Sequence, residues 1–307
     1  MGKATREAYG EALAELGQKN PNVVVLDADL SKSTKTVEFK KKFPERFINV
    51  GISEADLIGT AAGISTTGKI PFASTFAMFA AGRAFEQIRN TVGYPHLNVK
   101  ICPTHAGISV GEDGGSHQSI EDIALMRTIP GMVVLSPCDD NETRKAVFAA
   151  AEYQGPVYIR LGRLATPDIF DSSYEFKIGK AATIKEGKDV TVIATGMLTA
   201  EAVEAAKTLE AEGVSVRVVN MSTIKPLDEE AVRKAAQETK FIVTAEEHSV
   251  IGGLGGAVSE FTAENCPAKV VKIGVYDRFG ESGTGEELMV KFNLKAVDIV
   301  KKIKENL

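Results

Sequence analysis

Cysteine is scarce in this 307-residue chain, present only as Cys102, Cys138 and Cys266, widely spaced and in apolar surroundings. That pattern excludes a disulfide framework and a cysteine-rich zinc site, and points to reduced core thiols in a cytoplasmic protein. Long apolar runs are missing as well. Nothing reaches the ~20 residues that cross a bilayer, so no membrane partner is expected. The N-terminus runs straight into an amphipathic helical pattern without an apolar signal core, and Arg6 stands where a myristoylation signal wants Ser or Thr. A basic stripe is lacking too: 36 Lys and Arg are scattered among 41 Asp and Glu, for a formal charge of −5. A nucleic-acid backbone is therefore not an expected partner, and any anionic ligand must be held by local donors. Repeats and low-complexity tracts are absent. With 44% hydrophobic and 25% charged residues, what remains is a globular chain long enough for two cores.

The apolar pattern alternates helix and strand throughout. Val23-Val-Val-Leu-Asp, Phe47-Ile-Asn-Val, Pro71-Phe-Ala-Ser-Thr, Val99-Lys-Ile-Cys, Met132-Val-Val-Leu-Ser and Val157-Tyr-Ile-Arg read as strands buried on both faces, separated by helices. From about Leu164 to Lys188 the texture turns to Pro, Asp, Ser, Lys and Gly, a linker with some local strand structure. A second series follows, with strands at Asp189–Gly196, Val214–Val219, Phe241–Ala245 and Val270–Ile273. The expectation is α/β with two doubly wound domains: a parallel-sheet domain at 1–165, a linker at 166–188, and a smaller, mostly parallel α/β domain at 189–307.

Residues suited to chemistry gather in the first half. Thr104 to Asp122 packs His105, His117, Glu112, Asp113 and four glycines into one loop after a strand, with glycine allowing backbone to approach a ligand that His and Asp can titrate against. Ser53-Glu54-Ala-Asp56 has the form of a capping box that puts Glu54 on the first turn of a helix, where a dipole-complementing role is the plainer alternative. Ser74-Thr-Phe76-Ala-Met-Phe79 ends a strand in two aromatics, placed to stack on a flat ring or to pack the core, before a helix containing Arg83 to Arg89. Asp113 fits a turn equally well. Asp27 and Asp29 fit the turn after a strand, His248 fits a structural or interface role, and His96 fits an ordinary loop. Arg160 and Arg163 lie on one strand-like segment, whose alternation points only one of them toward a given site.

The ordered set Thr5-Arg6, Asp27 to Ser33, Gly51-Ile-Ser-Glu54, Ser74 to Phe79, His105 to His117, Arg160-Leu-Gly-Arg163 and Glu246-Glu-His248 before Gly252-Gly-Leu-Gly resembles the C-terminal half of transketolases. The resemblance covers essentially the whole chain. It implies a thiamine pyrimidine-binding domain followed by the transketolase C-terminal domain, and transfer of a two-carbon ketol unit from a ketose phosphate to an aldose phosphate. Thiamine diphosphate is the implied cofactor. Glu54 matches the glutamate that hydrogen-bonds its aminopyrimidine and favours the imino tautomer. Phe79 and Phe76 match the aromatics lining that pocket, and Asp29 a cofactor-proximal acid at the subunit interface. His105 matches a histidine that stabilises developing negative charge on the substrate. Asp113 matches the acid that reads a sugar hydroxyl. His117, Arg163, Ser33 and Arg6 match the groups around the sugar phosphate, a dianion suited to charged donors.

Two departures stand out. Gly82 occupies a place where some transketolases carry a further pocket aromatic, which Phe85 is placed to replace. The diphosphate and metal signature, Gly-Asp-Gly followed later by Asn-Asn, is missing; Glu112-Asp113-Gly114 resembles only its beginning. No metal ligands are therefore assigned to this chain. The resemblance then implies half an active site: a separate N-terminal subunit carrying the diphosphate-binding domain holds most of the contacts to Mg²⁺ or Ca²⁺, with two copies of each chain assembled. Three other readings share parts of the pattern: the corresponding half of a 1-deoxyxylulose-5-phosphate synthase, a 2-oxo acid dehydrogenase β subunit, and a noncatalytic sugar-phosphate-binding assembly subunit.

Overall fold

The computed structural model describes residues 2–307. The apolar runs pair into two sheets. The first holds β1 (Val23–Asp27), β2 (Phe47–Asn49), β3 (Ile70–Ser74), β4 (Lys100–Ile101), β5 (Val133–Leu135) and β6 (Val157–Ile159). The second holds β7 (Ala182–Lys185), β8 (Val190–Ala194), β9 (Val216–Asn220), β11 (Ile242–Ser249) and β12 (Val270–Val275), while β10 (Thr223–Lys225) crosses back to the first. Strand order is β10-β5-β6-β4-β3-β1-β2 in one sheet and β12-β11-β8-β9-β7 in the other. Among the named strands only β10 on β5 and β7 on β9 pair antiparallel.

Continuous apolar strands bury both faces of each sheet under helices, as doubly wound architecture requires. In β1, Val23 and Val25 face Tyr9, Leu13 and Ala146, while Val24 and Leu26 face Leu57, Ile58 and Ile88. In β8, Val190 and Val192 pack on Leu198, Leu209 and Ile299, and Ile193 packs on Val232, Leu254 and Val258. The two mostly parallel α/β sheets match the expected fold class.

The short strands lie in weakly patterned stretches. The strand structure expected within 166–188 is β7, which pairs as an edge of the second sheet, and β10 carries residues of the 189–307 stretch into the first sheet. Each is three or four residues long with few apolar side chains, so pairing rather than intrinsic pattern makes them strands. The helix expected around Arg83 to Arg89 is instead two π-helical segments, Phe79–Arg83 and Gln87–Gly93. Ser53 precedes the helix Glu54–Ser65 as expected, but the capping box does not form: at φ −152° and ψ 77° its hydroxyl caps no backbone N–H.

β2 and β3 leave β1 on opposite sides, so the strand order reverses there. In open parallel sheets such a reversal opens a crevice at the carboxyl ends of the strands. The loops after β1, β2, β3, β4 and β6 all converge on that edge.

Candidate active site

The loop after β1 is built by a buried acid. Asp27 accepts from Leu30 N (2.5 Å), Thr34 Oγ1 (2.7 Å) and Thr36 Oγ1 (2.9 Å), and burial raises its pKa above the usual carboxylate value. These bonds shape the segment that presents Ser33. Asp29, in the left-handed region at φ 65°, is exposed and exchanges hydrogen bonds with Asn49: its N–H donates to Oδ1 and its own Oδ1 accepts from Nδ2, both at 3.0 Å. It therefore sits beside the strand-to-helix turn leading to Glu54.

Glu54 opens its helix and is 1% exposed. Its Oε1 accepts from Thr75 Oγ1 at 3.4 Å and its Oε2 from Arg83 Nη1 at 2.7 Å. Phe76 and Phe79 follow β3, their ring centroids 6.0 Å apart and 18° from parallel. A bridge between Phe76 and Thr104 ties this loop to the one after β4. The ring of Phe76 consequently stacks on His105, centroids 4.0 Å apart, and His117 stands edge-on to Phe79 at 5.2 Å.

His105 adopts φ 59°, an uncommon state for a residue with a side chain. It is buried between two partners, Thr104 Oγ1 at 2.8 Å on Nδ1 and Arg6 Nη1 at 3.4 Å on Nε2. Arg6 can only donate, so Nε2 accepts and the proton resides on Nδ1. Burial, then Arg6, Arg163 and His117, push its pKa down to about 3, which keeps the imidazole neutral. Arg6 also donates to Ser33 O at 3.0 Å, yet its buried Nε has no partner. Arg163 donates to Val110 O and lies 3.2 Å from Glu112 and 3.8 Å from Asp113, both on the exposed loop. Four cationic or potentially cationic groups thus crowd together with no buried acid among them, an arrangement that favours an incoming anion.

Arg160 points elsewhere. Its guanidinium is buried on Asp122 (2.9 Å), Ser119 O and Glu247 O, where the two sheets' domains meet. His248 is buried at the same junction, with Nδ1 2.8 Å from Ser249 O and Nε2 accepting from Ala124 N at 3.4 Å. Gly107, at φ 86°, lets the histidine loop close on Glu247, whose carboxyl a Cβ there would strike. Among the described residues no three His, Cys, Asp or Glu side chains converge as around a metal ion.

Sequence reasoning brought Glu54, Phe76, Phe79, His105, His117, Arg163, Arg6, Ser33 and Asp113 to this edge, and the structure gathers them there. It missed Arg83, which grips Glu54 and lies 4.5 Å from the centre of the Phe79 ring, and the pairing of Glu112, an acid of the histidine loop, with Arg163. The spacing of Phe79 and Arg83, four residues apart in a helical stretch, was the available signal.

Residues 1–168 match the family model for the transketolase pyrimidine-binding domain, and residues 179–299 that for the transketolase C-terminal domain. A putative transketolase C-terminal section from Methanocaldococcus jannaschii is 53% identical over 99% of this chain and 96% of its own. A 6-deoxy-6-sulfo-D-fructose transketolase subunit from a Clostridium species is 45% identical over 96% of this chain and 92% of its own. A solved structure described as a split gene transketolase, inactive beta4 tetramer, superposes with a TM-score of 0.91 at 57% identity, covering 99% of this chain and 98% of that one.

Proposed function

Because the chain belongs to the transketolase family, we propose that it is the C-terminal subunit of a split, thiamine diphosphate-dependent enzyme moving a two-carbon ketol unit from a ketose phosphate to an aldose phosphate. The observation that carries this reading is the Glu54 carboxylate, 1% exposed and joined through Arg83 to the face of Phe79, at the strand-order reversal beside a cationic cluster that holds no buried acid. A buried carboxylate next to an aromatic ring fits the nitrogen edge and flat face of an aminopyrimidine. When bound, thiamine diphosphate supplies the nucleophilic carbon that carries the two-carbon unit. This chain's residues do the rest on their side of the site. Glu54 holds or accepts a proton at one ring nitrogen, with Phe79 and Phe76 fixing the ring plane. His105, neutral and protonated on Nδ1, leaves Nε2 to accept a substrate hydroxyl once Arg6 turns to the phosphate. Arg6 Nε, Arg163, His117 and Ser33 bind the phosphate, and Asp113, freed from Arg163, accepts from a sugar hydroxyl.

The diphosphate and its Mg²⁺ or Ca²⁺ belong mainly to an N-terminal partner subunit, with two copies of each chain in the assembly and Asp29 at the junction near the cofactor. The name of the M. jannaschii relative and the split-gene description of the solved one support that division. The enzyme's place is the cytoplasm, consistent with the three unpaired cysteines. Mixing this chain with a partner bearing the diphosphate motif, thiamine diphosphate and Mg²⁺ is expected to produce turnover of xylulose 5-phosphate with ribose 5-phosphate, and neither subunit alone should do so. Full turnover by this chain alone refutes the split site. Substrate binding without turnover in the complete assembly refutes catalysis, and preference for a sulfonated over a phosphorylated ketose refutes the assignment of phosphate.

A further inference from the structure

Glu54 does not stand open to a ligand. Arg83 Nη1 is 2.7 Å from its Oε2, and the same guanidinium lies 4.5 Å from the Phe79 ring centre. A guanidinium is flat, cationic and rich in N–H donors. Bonded to the carboxylate and laid on the aromatic ring, it makes the two contacts that an aminopyrimidine would make. The carboxylate's other oxygen has only a 3.4 Å contact from Thr75, so Arg83 takes its stronger acceptor position. One oxygen and one ring face do not serve both occupants.

Arg83 is held lightly. Its side chain is 52% exposed, and Glu54 is its one hydrogen-bond partner among the described residues. It hangs from the π-helical turn Phe79–Arg83, with Gly82 beside it, and neither residue is locked in a core. A buried Glu54 without any partner is costly, whereas an arginine released to water is not. The pair therefore keeps the carboxylate satisfied until something better arrives, at the loss of a single half-exposed ion pair.

We propose that Arg83 is a placeholder: in the subunit without cofactor its guanidinium occupies the carboxylate and ring face that the aminopyrimidine takes, and it swings to solvent when that ring enters. This rests on the assignment of Glu54 and Phe79 made above. The device keeps the half-site closed to adventitious ligands before assembly, and sets a threshold that the partner's grip on the diphosphate overcomes.

The test is calorimetric titration of thiamine diphosphate with Mg²⁺ into the assembled, cofactor-free enzyme, comparing wild type with Arg83→Ala and Arg83→Gln. Loss of a competing pair of this exposure predicts roughly five-fold tighter binding in both variants. In arginine-labelled wild type, the Arg83 side-chain NMR signals are expected to change from restrained to mobile as cofactor is added. Unchanged or weaker binding in both variants, or an Arg83 that stays restrained at saturation, makes it a permanent brace for Glu54 and overturns the proposal. The site assignment is judged separately: binding by wild type that Glu54→Gln leaves unaltered overturns that assignment and the placeholder with it, as does no binding by wild type.

Discussion

Both sheets end their strands in acids and histidines, but the two edges use them differently. At the end of β11, Glu246 accepts from Leu254 N (2.7 Å) and Gly255 N (2.8 Å), Glu247 accepts from Ser109 N, and His248 is enclosed by backbone. Every one of these groups is spent on a helix start or on the seam between domains. At the first sheet's edge, Arg6 Nε is buried without a partner, His105 is a neutral imidazole among cations, and Arg163 has only surface acids beside it. One architecture therefore yields a joint whose acids and histidine are each bonded in place and a candidate site that keeps a buried arginine nitrogen without a partner.

The sharpest way to break this contrast is to exchange its glutamates. Glu54→Gln in the assembled enzyme is expected to reduce kcat by about 100-fold or more, the scale of a lost acid–base group. Its stability should change by less than about 1 kcal/mol, because the amide still accepts a hydrogen bond and the arginine it releases is half exposed to water. Glu246→Ala leaves two buried N–H groups without an acceptor and should cost about 1–3 kcal/mol in a denaturant titration. Its kcat per folded molecule should stay near wild type. The opposite pattern in these two variants would erase the distinction between the edges.

The arginine pair sharpens it within three residues of chain. Removing Arg160 strands the fully buried Asp122, so Arg160→Ala is expected to lose about 3–5 kcal/mol in urea unfolding. Arg163→Ala removes a 33%-exposed side chain and should leave folding nearly intact. For a phosphorylated donor, however, KM should rise roughly ten- to a hundredfold, the loss of a charge-assisted contact. An unphosphorylated ketose should be indifferent to the change.

pH separates the edges more gently. His105 has a folded pKa of about 3, below its ordinary value of 6.5, so the unfolded chain binds the extra proton between those limits. Stability therefore falls as pH falls through that window, by an amount absent from a variant without the imidazole. Between pH 7 and pH 5, wild type should lose denaturation midpoint relative to His105→Gln. A constant difference between the two curves would mean that the ring is not buried among cations.

Much of this was readable in the residues, for identifiable reasons. β1, β3, β8 and β9 are short, apolar-rich segments whose residues are almost all buried, and loops at strand ends concentrated the histidines and glycines. The pairing of β7 and β10 was not legible because short edge strands depend on their partner's exposed backbone rather than on their own pattern. Arg163 and Arg160 could be separated only by direction, which needs the strand's end located to the residue. For Arg83 the four-residue spacing from Phe79 was the one signal, and a weak one, because a helical arginine on an exposed face ordinarily faces water; a π-helical turn brings it onto Glu54.

The smallest expected effect tests the local grammar at the candidate site itself. Ser53 stands at the cap position of the Glu54 helix without bonding it, whereas Asp139 caps its helix fully, accepting from Glu142 N at 2.8 Å while its other oxygen takes Ile169 N and Phe170 N at 2.7 Å. A working cap is worth about 1 kcal/mol and buried backbone donors more. Ser53→Ala should therefore shift stability by no more than about 0.5 kcal/mol, and Asp139→Ala by at least about 2 kcal/mol. If Ser53→Ala costs as much as a true cap, its hydroxyl holds the turn that aims Glu54, and the helix start at Glu54 is as fully satisfied as the one that Asp139 caps.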